Sequence, residues 1–235
     1  MPFAHAQASA NGDTSINGAT TLSVSLTNAP AVGDVVCVSV CSFDGGITVS
    51  NVQDGNGNVY TKSPQSPSNT NPNTVGYSYL FYWIATGTPH KTITATFSSL
   101  VAANGDIVAM IIDDFTVSGG TASFDIDASG AGFGTTVSTP TLTPTNPNSL
   151  VYAGIAGGGS AVVNSPWTGT TNTNYDTATG EYQLSVTASQ NPNLTQANTL
   201  WDSMMMAFYI VPAISGQGYG AAVQEDYSWG GGDDN

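Results

Sequence analysis

The sequence predicts an all-β protein, an antiparallel β-sandwich of jelly-roll type, on three observations. Short runs rich in Val, Ile, Thr, Tyr and Phe are separated by Gly, Pro, Asn and Asp, the signature of strands and turns. No segment sustains a helical period. About a dozen such runs follow one another with no helix between them, which excludes parallel βαβ architecture.

In order, the expected strands are 21–27, 34–43, 47–53, 59–62, 75–85, 91–98, 106–117, 123–128, 136–143, 149–156, 180–188 and 200–211. Val35 to Val38 and Ile107 to Ile112 are apolar on both faces, so a second sheet or a neighbouring subunit must cover each face. Tyr77, Tyr79, Phe81 and Trp83 alternate and so share one face, which reads as core or interface. Met204, Met205 and Met206 read as core packing rather than a Met-rich binding patch. Residues 63–74 and 157–175 are rich in Pro, Asn, Ser, Thr and Gly and read as exposed loops. A faint internal echo is present: Leu26 precedes Val35 by the same spacing as Leu142 precedes Val151, and each valine opens an apolar strand. A two-half sandwich would give this pattern.

The domain expected at 1–212 is followed by a Gly-rich acidic tail, 213–235, which has little to bury on its own and is expected to dock on a partner. The chain has 235 residues, and one large β domain is the expectation for that length.

Composition narrows function before any motif does. Sixteen acidic residues face only Lys62 and Lys91, for a formal net charge of −14. Nucleic acid and anionic membrane surfaces both draw affinity from Lys and Arg, so neither is an expected partner. Charged residues make up 8%, against roughly 25% in ordinary globular domains, which leaves a surface of Ser, Thr, Asn and Gly typical of extracellular and virion-surface proteins. The segment Met1 to Gln7 has neither the basic nor the long apolar region of a secretory signal, so synthesis without such a signal is expected. No apolar run approaches the ~20 residues of a membrane helix.

Cys37 and Cys41 lie four residues apart in one strand, about 13 Å at ~3.3 Å per residue, beyond the ~7 Å within which two Cα atoms can be bridged. Free buried thiols are expected. The chain has two histidines: His5 lies near the terminus and His90 in a turn, and no G-x-S-x-G nucleophile elbow occurs. Glutamates are few, notably Glu181 and Glu225, which leaves a glycoside hydrolase or lyase as the third-ranked reading. No enzyme and no cofactor is expected.

Oxygen-rich clusters make Ca²⁺ the one ion to consider. Asp54, Asn56 and Asn58 space oxygens like the start of a calcium loop but lack its bidentate Glu, and the same residues form an ordinary hairpin turn. Asp113-Asp114 is a further pair, and Asp125 and Asp127 alternate on one strand face. Trp167 and Tyr175, in the second long loop, are the candidates for stacking on sugar rings. Tyr219, Tyr227 and Trp229 in the tail are the candidates for a partner contact.

Ala29-Pro30-Ala31-Val32-Gly33-Asp34-Val35-Val36 after a strand, the hairpin Val52-Gln53-Asp54-Gly55-Asn56-Gly57-Asn58-Val59-Tyr60-Thr61, and Ile84-Ala85-Thr86-Gly87 together resemble a recurrent β-sandwich domain. Phe124 to Ser129 and Met205 to Phe208 extend the likeness over roughly residues 1–212. That domain occurs in phage and prophage virion proteins and in large bacterial surface proteins. The resemblance implies a structural protein, a capsid decoration or fibre component, whose partners are copies of itself or other virion or surface proteins. Its location would be the virion surface or the extracellular space. The alternative is a glycan-binding adhesion module, with surface glycans as ligands and calcium as an aid.

Overall fold

A computed structural model describes residues 1–9, 12–14, 18–42, 47–67, 77–99, 108–157, 161–171 and 178–213. The strands are β1 (Phe3–Ala8), β2 (Gly12–Thr14), β3 (Thr21–Ser25), β4 (Val35–Ser42), β5 (Val49–Asp54), β6 (Thr61–Lys62), β7 (Tyr77–Ile84), β8 (Thr92–Phe97), β9 (Val108–Val117), β10 (Gly120–Val137), β11 (Ser149–Gly157), β12 (Val162–Val163), β13 (Thr168–Thr171), β14 (Ala178–Val186) and β15 (Leu194–Pro212). All pair antiparallel, and the described residues contain no helix.

They form three sheets. Sheet A has the order β1-β9-β4-β7-β6 with β2 also on β9, sheet C has β10-β15-β11-β14-β13 with β12 on β15, and sheet B has β3-β8-β5. Sheet A lies in the middle. Its Val36, Val38, Val40, Tyr79, Phe81, Met110 and Ile112 pack against Leu22, Val24, Val52, Ile93 and Phe97 of sheet B. From the opposite face, Val35, Cys37, Leu80 and Phe115 meet Leu150, Tyr152, Met204, Met206 and Phe208 of sheet C. All of β4 and β11, and β9 from Val108 to Phe115, are therefore buried. The chain's own sheets cover these two-sided apolar strands; no second subunit is needed for that.

The Tyr77, Tyr79, Phe81, Trp83 row faces the A–B core. Alternation sends Met204 and Met206 toward sheet A and Met205 into a separate cluster on the outer face of sheet C, with Leu142, Val151, Ala153, Trp167 and Val186.

The internal echo has a structural counterpart. Sheets A and C repeat one strand order, with the first strand of each half at an edge, the last strand beside it, then β4 or β11, β7 or β14, and β6 or β13. Leu26 N donates to Lys91 O at 2.9 Å and Leu142 N donates to Gln190 O at 2.9 Å, so both leucines sit at matching places on the outer layer of their half. In the first half that layer is sheet B; in the second it is irregular chain with one isolated bridge at Leu142.

Several boundaries differ from expectation. The runs 123–128 and 136–143 are not two strands, because β10 continues through 129–135, a Gly- and Ala-rich stretch with little β-propensity that is held by its long partner β15. β1, whose sequence alternates Ala with Phe, His and Gln, lacks β-branched residues and was not expected as a strand. The segment 157–175 is not simply a loop, since β12 and β13 lie within it.

Candidate functional site

Carboxylates are the reactive groups this chain has in number, and among the buried ones Asp54, Asp113, Asp114, Asp127 and Glu181 each accept a hydrogen bond from another segment. Asp54 ends β5, where an Asx-type turn lets its side chain accept from backbone two and four residues on. Its Oδ1 accepts from Asn56 N and Asn58 N at 2.9 and 3.0 Å, and its Oδ2 from Asn58 Nδ2 and His90 N at 2.8 and 2.9 Å. Asn56 and Asn58 turn their amide groups to Thr88 O. The cluster offered as a calcium loop is thus a clasp between two turns, with the carboxylate occupied by N–H donors. His90 belongs to the same clasp: its ring covers Gly55, where a Cβ would lie 2.4 Å from Nδ1, and its Nδ1 accepts from Thr92 N.

Asp125 and Asp127 do not share a face. The β10–β15 register shifts between Phe124 and Asp127, and this bulge breaks the alternation on which the expectation rested. Asp125 accepts from Thr145 N and Oγ1 on the covering segment of sheet C. Asp127, buried, accepts from Gln65 N at 2.7 Å and from Ser63 Oγ, so the turn at 63–66 is fastened to β10 with Ser63 and Ser66 buried while Pro64 and Gln65 stay exposed; residues 68–74 of the expected loop lie outside the described residues. Among the described residues no three His, Cys, Asp or Glu side chains gather as a metal-holding group.

The densest polar site lies where sheets A and C meet. Asp113, fully buried on β9, stands 3.0 Å from His5 Nε2 and accepts from Tyr152 Oη at 2.9 Å. His5, with its side chain 25% exposed, stacks on Tyr182 at 4.7 Å and meets the edge of Phe115. Gly180 makes room: a Cβ there would lie 2.4 Å from Tyr152 Oη and 2.9 Å from Asp113 Oδ2. Burial pushes the Asp113 carboxyl above its usual range, and the His5 and Tyr152 contacts pull it back. On the next residue, burial raises Asp114 to about 6, against a 2.9 Å hydrogen bond from Gln7 Nε2. Gln7 also exchanges hydrogen bonds with the backbone of Asn28. One strand, β1, thus carries partners for both buried aspartates. The sequence signal was present in the Asp113-Asp114 pair inside an apolar strand, because a buried carboxylate must find donors. Their identity, 39 to 108 residues away in sequence, was not readable.

Glu181 on β14 is fully buried and faces the outer cover of sheet C. One oxygen accepts from Asn193 N at 3.0 Å, and Oε2 has no partner. Burial raises it to about 8. Asn193 in turn donates to Ser165 O, and its own carbonyl accepts from Asn164 N, whose carbonyl accepts from Trp167 N.

Trp167 itself is only 6% exposed and packs among Leu142, Val151, Met205 and Ala207. Its ring is a core element and offers no face to a sugar, because the chain after β12 folds inward onto sheet C. Tyr175, Tyr219, Tyr227 and Trp229 lie outside the described residues, as do residues 214–235 of the tail. Cys37 and Cys41 are free and buried; burial lifts Cys37 and carries Cys41 to about 12, so neither is a ready thiolate.

One exposed feature remains. β10 is the edge of sheet C, and from Ala128 to Val137 it carries no charge and no proline, while Phe133 is 65% exposed. No protein-family model matches this chain, and no curated protein or solved structure matches it either.

Proposed function

We propose that this chain is a non-enzymatic structural component of a virion or other extracellular assembly, a capsid-decoration or fibre-like protein that engages neighbouring subunits. One observation carries the reading: five buried carboxylates serve as fasteners. Asp54, Asp113, Asp114, Asp127 and Glu181 each tie one segment of chain to a distant one. Acidic groups used this way support a role in holding shape. The Ser, Thr and Asn surface and the back-to-back sheets agree with such a role, each half reading as one sandwich unit of jelly-roll type.

The test is immunogold labelling of particles and surface layers from cells that make the protein. Label on the particle or outer surface is the expected result. Label confined to the soluble interior of the cell would overturn the reading.

A further inference from the structure

We infer that Glu181 is a proton-held latch: with its carboxyl neutral it keeps Asn193 and the turn 164–167 closed over the outer face of sheet C, and its ionisation lets that cover lift while the sheets stay folded. The latch is a property of the fold and does not depend on the structural role proposed above.

The carboxyl is isolated. Glu181 is fully buried, with Ala153 of β11 opposite it on one side and Gly169 of β13 opposite it on the other. The outer face around it is apolar, with Val151 and Ala153 of β11 and Met205 and Ala207 of β15, and the cover above brings Asn164, Ser165, Trp167 and Asn193. None of these is titratable or charged, and no charged group among the described residues acts on Glu181. Gln183 lies two residues along on the same face, but its buried Nε2 is itself unpaired, so it does not hold Oε2.

The group that Glu181 does hold is a hub. Its Oε1 accepts from Asn193 N at 3.0 Å. Asn193 in turn ties down the turn, its O accepting from Asn164 N at 2.8 Å and its Nδ2 donating to Ser165 O at 3.0 Å. Trp167 N closes the turn onto Asn164 O at 3.0 Å, with the Trp167 ring packed beneath.

A neutral carboxyl can remain in such a place. An ionised one, with a single N–H donor and no cation, needs water. Burial accordingly raises Glu181 to about 8. Strand ladders fix β14 on both sides, so water cannot enter by parting the sheet. The cover is held by loop hydrogen bonds and has Ser165 and Pro166 exposed, which makes it the element that opens first. Once it lifts, both Glu181 Oε2 and Gln183 Nε2 are hydrated. With the carboxyl near 4.5 in the open form and about 8 in the closed one, closure is tightest below pH 4.5. It weakens by about tenfold per pH unit between the two values and levels off above 8.

Amide hydrogen exchange of the full chain, read by NMR at pH 5, 6, 7 and 8 and corrected for the intrinsic pH dependence of exchange, tests this. The amides of Asn164, Trp167 and Asn193 are compared with those of β4, which is buried throughout and reports global unfolding. The three hub amides should be less protected than β4 at every pH, with protection falling about tenfold per unit. Glu181→Gln, whose carbonyl can still accept from Asn193 N, should lose that slope. Hub protection that is flat with pH in the wild type, or equal to that of β4 throughout, would overturn the latch without recourse to any variant. A slope that survives in Glu181→Gln, shown to be folded by circular dichroism, would assign the titration to another group and overturn it as well.

Discussion

Tyr152 Oη on β11 donates to Asp113 Oδ2 on β9 across 2.9 Å, joining the two halves of the chain through a hydrogen bond sealed from water. His5 reaches the other oxygen of the same carboxylate, so the N-terminal strand is fastened at the seam between sheets A and C.

Tyr152→Phe should keep the ring packing and remove the donor. A buried acceptor left short of a partner costs about 1–3 kcal/mol, and more when charged. Asp113→Ala should cost more than Tyr152→Phe, because it strands both His5 and Tyr152. Urea midpoints of the two variants check the order; equal midpoints to wild type would remove Asp113 from the account of stability.

The pH dependence of stability should run opposite to ordinary acid denaturation. Glu181 sits near 8 in the folded chain, against 4.5 when exposed, so between these values the folded state keeps a proton that the unfolded state releases. Its contribution is fully present below about pH 4.5 and is lost as pH rises through 8. Asp114 acts in the same direction between 3.8 and about 6. Stability should therefore fall from pH 5 to pH 8.5, by about 1 kcal/mol per unit from Glu181. Glu181→Gln should flatten the upper part of that slope. Urea titrations at pH 5, 6.5 and 8 read it directly, and stability rising with pH would contradict it.

Asp54→Ala should release the clasp between the 54–58 and 88–90 turns, with a loss of about 2 kcal/mol for stranded N–H groups. Because N–H donors already occupy that carboxylate, millimolar Ca²⁺ or a chelator should leave the wild-type melting temperature in place. A calcium-dependent rise that Asp54→Ala abolishes would restore the metal reading.

Trp167→Ala should cost about 3–5 kcal/mol, as deletion of a buried aromatic does, and Trp167→Phe much less. Thermal unfolding separates the two, and a neutral alanine variant would show that the ring is not part of the core.

The sequence told much about what is buried and little about how segments meet. Alternation placed the Tyr77 to Trp83 face and the methionine run correctly, because a period of two is a local property of a strand. The Leu26 and Leu142 spacing carried the repeated strand order of sheets A and C in faint form. Trp167 was misread because polar and glycine-rich neighbours suggest exposure, whereas its burial depends on chain folding back across sheet C. Asp125 and Asp127 were misread because a bulge cannot be seen in the residues that form it. His5 was passed over because its partner is brought by β9, and pairing between strands over a hundred residues apart leaves no local mark.

Sheet order also dictates when each half can close during synthesis. β15, the last described strand, lies between β10 and β11, so sheet C has no centre until residues 194–212 have emerged. Until then the sheet C face of the finished sheet A, with Leu80 and Phe115, stays open to water. A nascent chain stalled before residue 194 would carry a greasy, strand-edged surface, the kind of intermediate that chaperones hold and that aggregates when they do not. Completion of the fold thus waits for β15, despite a first half that can assemble early.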